Sequence, residues 1–85
     1  MHAGPPPDMH PVQSSNLLKI GYWPAGVVSE TEPAELWVHF RHKPQRVYVY
    51  FRVPQETYDA LNGAGSKGRY HRRHIRGKFQ FVRRG

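Results

Sequence analysis

Two alternating runs, Glu35 to Arg41 and Arg46 to Val53, are separated only by His42-Lys43-Pro44-Gln45. In the first, Leu36, Val38 and Phe40 fall on one side of an extended chain, and Trp37, His39 and Arg41 on the other. In the second, Val47, Val49, Phe51 and Val53 oppose Tyr48, Tyr50 and Arg52. Period-two alternation marks a strand, and a short polar link between two strands marks an antiparallel hairpin. Both faces of this hairpin carry apolar or aromatic side chains. Either the sheet is covered on both sides, or one face is a working surface.

The rest of the chain supplies the remaining elements. Leu18, Ile20 and Tyr22 alternate with Lys19, Gly21 and Trp23, a further strand with a weak point at Gly21. Pro24 stops it, and Pro24 to Pro33 reads as a loop. After the hairpin, Val53-Pro54 switches the chain to helix, because proline fits the first helical turn. Tyr58, Leu61 and Ala64 give that helix an inner face, and Gly63 and Gly65 stop it. A second helix follows, in which Ser66 is the expected N-cap. Phe79 to Arg84 forms a last strand or an extended tail, with Phe79 and Phe81 expected to pack down. The order predicts an α+β domain: a small antiparallel sheet of three to four strands with two short helices packed on one face. Residues 1–13 hold Pro5, Pro6, Pro7 and Pro11, and are expected to be a disordered proline-rich tail ahead of one domain over 14–85.

Charge is distributed unevenly. Formal net charge is +7, and no acid follows Asp59. The run Ser66 to Lys78 carries six of the thirteen Lys and Arg residues. Arg69, Arg72, Arg73 and Arg76 stand at i, i+3, i+4 and i+7, so a helix puts them on one stripe, with Tyr70, His71, His74 and Ile75 on the other side. Four guanidinium groups in a row repel one another and suit a row of negative charges, of which nucleic-acid phosphate is the commonest. Lys67, Lys78, Arg83 and Arg84 widen the patch.

The ordered set Leu36-Trp-Val38-His-Phe40, Tyr48-Val-Tyr50-Phe-Arg-Val53-Pro54, Ser66-Lys67-Gly68-Arg-Tyr70 and His74-Ile75-Arg76 resembles the KTSC domain. That family is named for its occurrence at the C-terminus of some lysyl-tRNA synthetases, and also occurs as short stand-alone proteins of bacteria and phages. The resemblance spans Ser14 to Phe81. It implies a small α+β unit, and RNA binding has been suggested for the family. This chain departs from the pattern in its longer Pro24–Pro33 loop, its His71-Arg72 where Phe-Asn is frequent, and its richness in arginine. A family signature is often a packing signature, so Tyr48 and Tyr50 are expected in the core beneath the helices rather than on a stacking platform. The alternative is an open face on which Trp37, Tyr48 and Tyr50 stack bases between arginines.

Other chemistries find less support. No cysteine is present, so disulfides, thiolate zinc sites and cysteine nucleophiles are excluded. The serines have no base-and-orienter constellation, so no catalytic residue and no enzymatic activity are expected. His39/His42 and His71/His74 are each three apart, but two imidazoles beside arginines make a poor dication site, and no metal or cofactor is expected. No apolar run approaches a membrane span, and the N-terminus lacks signal-peptide regions, so a cytoplasmic location and no membrane partner are expected. The expected function is a small basic nucleic-acid-binding module, with RNA preferred over DNA. The alternatives are docking on the acidic surface of another protein, or a homodimer that buries the two-faced hairpin.

Overall fold

The computed structural model describes residues 3–43 and 46–84. Five strands form one sheet in the order β1-β2-β3-β4-β5, and every neighbouring pair is antiparallel. They are β1 (His10–Pro11), β2 (Leu17–Trp23), β3 (Glu35–Phe40), β4 (Val47–Phe51) and β5 (Phe81–Arg84). Helices α1 (Gln55–Gly63) and α2 (Lys67–His74) lie between β4 and β5. The expected α+β class stands, with five strands where three to four were expected.

The expected hairpin is β3–β4, and its register assigns the faces. Leu36 pairs with Tyr50 and Val38 with Tyr48, while Trp37 pairs with Val49 and His39 with Val47. Pro44 and Gln45 of the expected turn lie outside the described residues. On the first face Leu17, Ile20, Leu36, Val38 and Tyr50 pack with Leu61 of α1 and Ile75 just beyond α2. Tyr58 docks α1 by stacking on Tyr22, with ring centroids 4.6 Å apart, and the Tyr22 hydroxyl donates to the Val53 carbonyl at 2.6 Å. Val53 belongs to this same core, although simple alternation placed it opposite Tyr50. The reason is Arg52, whose φ of 61° turns the chain by a left-handed step at the strand end.

The second face is met by residues of the chain's own N-terminal segment, within the stretch 1–13 expected to be a disordered tail. Ala3 and Met9 pack against a cluster of Trp37, Val49 and Phe51. The Gly4 amide donates to Glu35 Oε2 at 2.8 Å, and the Trp23 indole N–H donates to the Pro5 carbonyl at 2.6 Å. The buried Glu35 carboxylate also accepts from the Trp37 indole at 2.9 Å, so both its oxygens are bonded. Gly21 makes the crossing feasible: a Cβ there would lie 2.8 Å from the Asp8 carbonyl oxygen and 2.9 Å from Pro7. Pro11 is tolerated because β1 is the edge strand. Both faces of the hairpin thus pack against other parts of the same chain.

Candidate nucleic-acid interface

Helix α2 is held by the three residues that precede and open it. The Ser66 hydroxyl caps it, accepting from the Arg69 amide at 3.4 Å. Lys67 bends back to donate to the Ala64 carbonyl at 3.0 Å. Gly68, inside the first turn, lets Asn16 come close; a Cβ would stand 2.5 Å from the Asn16 amide nitrogen. The helix expected to run through Arg76 ends two residues earlier, at His74. Ile75 leaves helical geometry, and Gly77 follows at φ 76°. His71 and Ile75 point into the core as expected, whereas His74 is exposed and packs on Tyr70 at 4.5 Å.

Between α2 and the β3–β4–β5 sheet lies a cleft of about 640 Å³. Phe40, Tyr48, Tyr50 and Phe81 line it with rings, and His71 closes its inner end. Tyr48 and Phe81 stack at 5.6 Å and 25°, and Phe40 meets Tyr48 edge-on at 5.2 Å. His71 Nε2 and the Tyr50 hydroxyl are hydrogen-bonded at 2.8 Å. Burial, then the charges of Arg76 and Arg72, push the His71 imidazole down to about 4. Burial, then the neighbouring Tyr48, raises the Tyr50 phenol to about 12, with Arg76 partly opposing. Both partners are therefore neutral at pH 7.

The rim is cationic. Arg72 and Arg76 stand on the α2 side, His42 and Lys43 on the hairpin side. Around the Tyr48 hydroxyl, the upward push of desolvation is overcome by Lys43, Arg83 and Arg46, which pull this phenol below its ordinary value. Among the described residues no Asp or Glu lines the cleft.

The basic stripe is thus divided. Arg72, Arg76 and Arg83 converge on the cleft or the tyrosine in it. Arg69, Arg73 and Lys78 are exposed outside its lining, and Lys67 is half-buried in its bond to Ala64. Arg84 belongs to the opposite face: it donates to the Gly4 carbonyl at 3.1 Å and sits 5.2 Å over the Trp37 ring. Trp37, grouped at the sequence level with Tyr48 and Tyr50 as a stacking set, is 4% exposed on that opposite face. The three cannot form one platform, because the register separates them. Tyr50 is in the core as expected, and Tyr48 is half-exposed at the core's edge. Phe81, expected to pack down, is 49% exposed. Sequence reasoning did not single out Lys43 and Arg46; the available signal was a lysine within the hairpin link and an arginine directly after it. Among the described residues, no three His, Cys, Asp or Glu side chains converge as a metal site would require.

Fold and cleft together define a small α+β domain with an aromatic concavity under a cationic rim. A sequence model of the KTSC domain matches residues 13–79, and the chain belongs to that family. A protein of Tsukamurella paurometabola is 32% identical over 74 residues, covering 87% of this chain and 97% of its own length. The crystal structure of a KTSC domain protein from Yersinia pestis aligns with a TM-score of 0.78 at 33% identity, covering 92% of this chain and 97% of the other. In this chain several of the motif residues quoted for the family are scaffold: Tyr50 and Val53 fill the core, Ser66 caps α2, and Gly68 admits Asn16.

Proposed function

We propose that this KTSC domain is a nucleic-acid-binding module that holds single-stranded RNA through the cationic rim beside α2. The observation that supports this is the convergence of Arg72, Arg76, Lys43, Arg46 and Arg83 around one aromatic cleft without a lining acid. Such a rim is self-repelling when empty, and phosphates relieve it. Arg69, Arg73, Lys67 and Lys78 extend the positive field along α2, so a strand leaving the cleft stays on a basic surface. RNA is the preferred form because the cleft offers the Tyr48 hydroxyl and Asn16, groups able to bond a ribose 2′-hydroxyl. Among the described residues no helix is long and apolar enough to cross a membrane.

The test is binding of labelled single-stranded RNA, single-stranded DNA and duplex DNA near physiological salt, to wild type and to an Arg72→Gln/Arg76→Gln variant. Both arginines are exposed, so the variant should fold. Tightest binding to RNA and at least a tenfold loss in the variant are expected. Weak binding to every polyanion, indifferent to the substitutions, would refute the proposal and point to an acidic protein surface as the partner.

A further inference from the structure

Phosphate contacts alone do not explain why an aromatic cleft lies inside the cationic rim. Among the described residues, Phe81 is one of two large apolar side chains left exposed, and it stands in this cleft stacked on Tyr48. The rest of the first-face aromatics are committed: Tyr50 to His71, Tyr22 to Tyr58, Phe40 edge-on to both Tyr48 and His71. Phe81 and the half-exposed Tyr48 share this cleft with Lys43, Arg72 and Arg76. Exposed aromatic faces with adjacent guanidinium groups stack unpaired bases and do so with any base. The cleft volume, about 640 Å³, falls in the range that encloses a small ligand, roughly 300–1,000 Å³. At the lip, the space beside Gly77 is open: nothing lies within 4 Å of where a Cβ would stand.

We infer that the cleft is a pocket for one splayed-out base, stacked against Tyr48 and Phe81, with its own phosphate held by Arg72 and Arg76. This rests on the nucleic-acid reading above and adds to it a reason for single-strand selectivity. A duplex keeps its base faces stacked on each other and can offer only phosphates.

Two probes separate the parts. The first is a single-stranded RNA compared with an abasic strand of equal length and charge, bound to wild type and to Phe81→Ser. Phe81 is half-exposed on the last strand, so its replacement should leave the fold intact, checked by circular dichroism. The expected result is about fivefold or greater weakening for the abasic strand, and the same weakening for RNA on Phe81→Ser, where the difference between strands disappears. The second is an amide NMR titration with adenosine 5′-monophosphate, with ribose 5-phosphate as control. Shifts at Tyr48, Arg76, Gly77 and Phe81 specific to the nucleotide are expected. Equal affinity for both strands would overturn the base pocket and leave the phosphate-binding reading intact. Binding of neither strand would overturn both.

Discussion

His71 provides a quantitative handle on this architecture. Its imidazole is 5% exposed, hydrogen-bonded to Tyr50 from β4 and met edge-on by Phe40 from β3, with Arg72 and Arg76 following it in the chain. In the fold its ionisation lies near 4; in the unfolded chain it lies near 6.5. Between these values the unfolded state binds the proton and the folded state does not, so stability rises with pH across this window. The contribution is complete above 6.5, falls as pH drops through the window, and is flat below about 4. A displacement of this size corresponds to about 3 kcal/mol in full, and to about 2 kcal/mol by pH 5. The perturbation is His71→Phe, a ring that does not titrate. Urea unfolding of both proteins from pH 7 to pH 4.5 gives the difference in stability at each pH. At pH 7 the variant should be about 1 kcal/mol less stable, having lost the bond to Tyr50. By pH 5 the wild-type advantage should have shrunk by about 2 kcal/mol, reversing the order. At about 1–2 kcal/mol per molar urea, this is a relative midpoint change of roughly 1–2 M. Parallel pH profiles would refute the reasoning, because they would show that His71 charges as readily in the fold as out of it.

Four further substitutions probe how the sheet and α2 are supported. Gly68→Ala should cost about 1–3 kcal/mol in unfolding free energy, since its Cβ would lie 2.5 Å from the Asn16 amide. Adding Asn16→Ala should recover part of this, giving a coupling in the double-mutant cycle that independent sites would lack. Gly21→Ala should push the N-terminal segment off the second face, because its Cβ meets the Asp8 backbone; faster proteolysis within residues 3–9 and altered Trp37 fluorescence would report it. Ser66→Ala should cost about 0.5–1 kcal/mol in thermal or urea unfolding through loss of the cap, at the low end because the bond is 3.4 Å long.

The hairpin and both helices were legible because each depends on local periodicity; the core position of Tyr50 followed instead from the family resemblance, and Tyr48 reaches only the core's edge. Alternation from Leu36 to Phe40 and from Val47 to Phe51 predicts the faces within each strand. It cannot predict which faces meet, since that depends on the register across the link, and a one-residue change would reverse it. The open-face alternative therefore groups Trp37 with Tyr48, whereas the register puts them on opposite faces. The N-terminal segment was missed for a related reason. Pro5, Pro6 and Pro7 exclude helix and ladder locally, yet the segment is held by partners far along the chain, Glu35, Trp23 and Arg84. Gly21 was the one local trace of it: a glycine inside a strand often marks the close approach of another backbone. For the interface, the arginine spacing identified the helix that carries the rim. The contributions from the hairpin side, Lys43 and Arg46, required the fold.

The most direct test of the nucleic-acid reading is the salt dependence of single-stranded RNA binding. Log affinity falls linearly with log salt, by about 0.7 per phosphate neutralised on a single strand. If Arg72, Arg76, Lys43 and Arg83 each hold a phosphate, the slope should be about −3 for wild type. It should shrink by about 1.4 in Arg72→Gln/Arg76→Gln, whereas Arg84→Gln, on the opposite face, should leave it unchanged. A slope equal in all three proteins would contradict the account and remove nucleic acid as the ligand of this cleft.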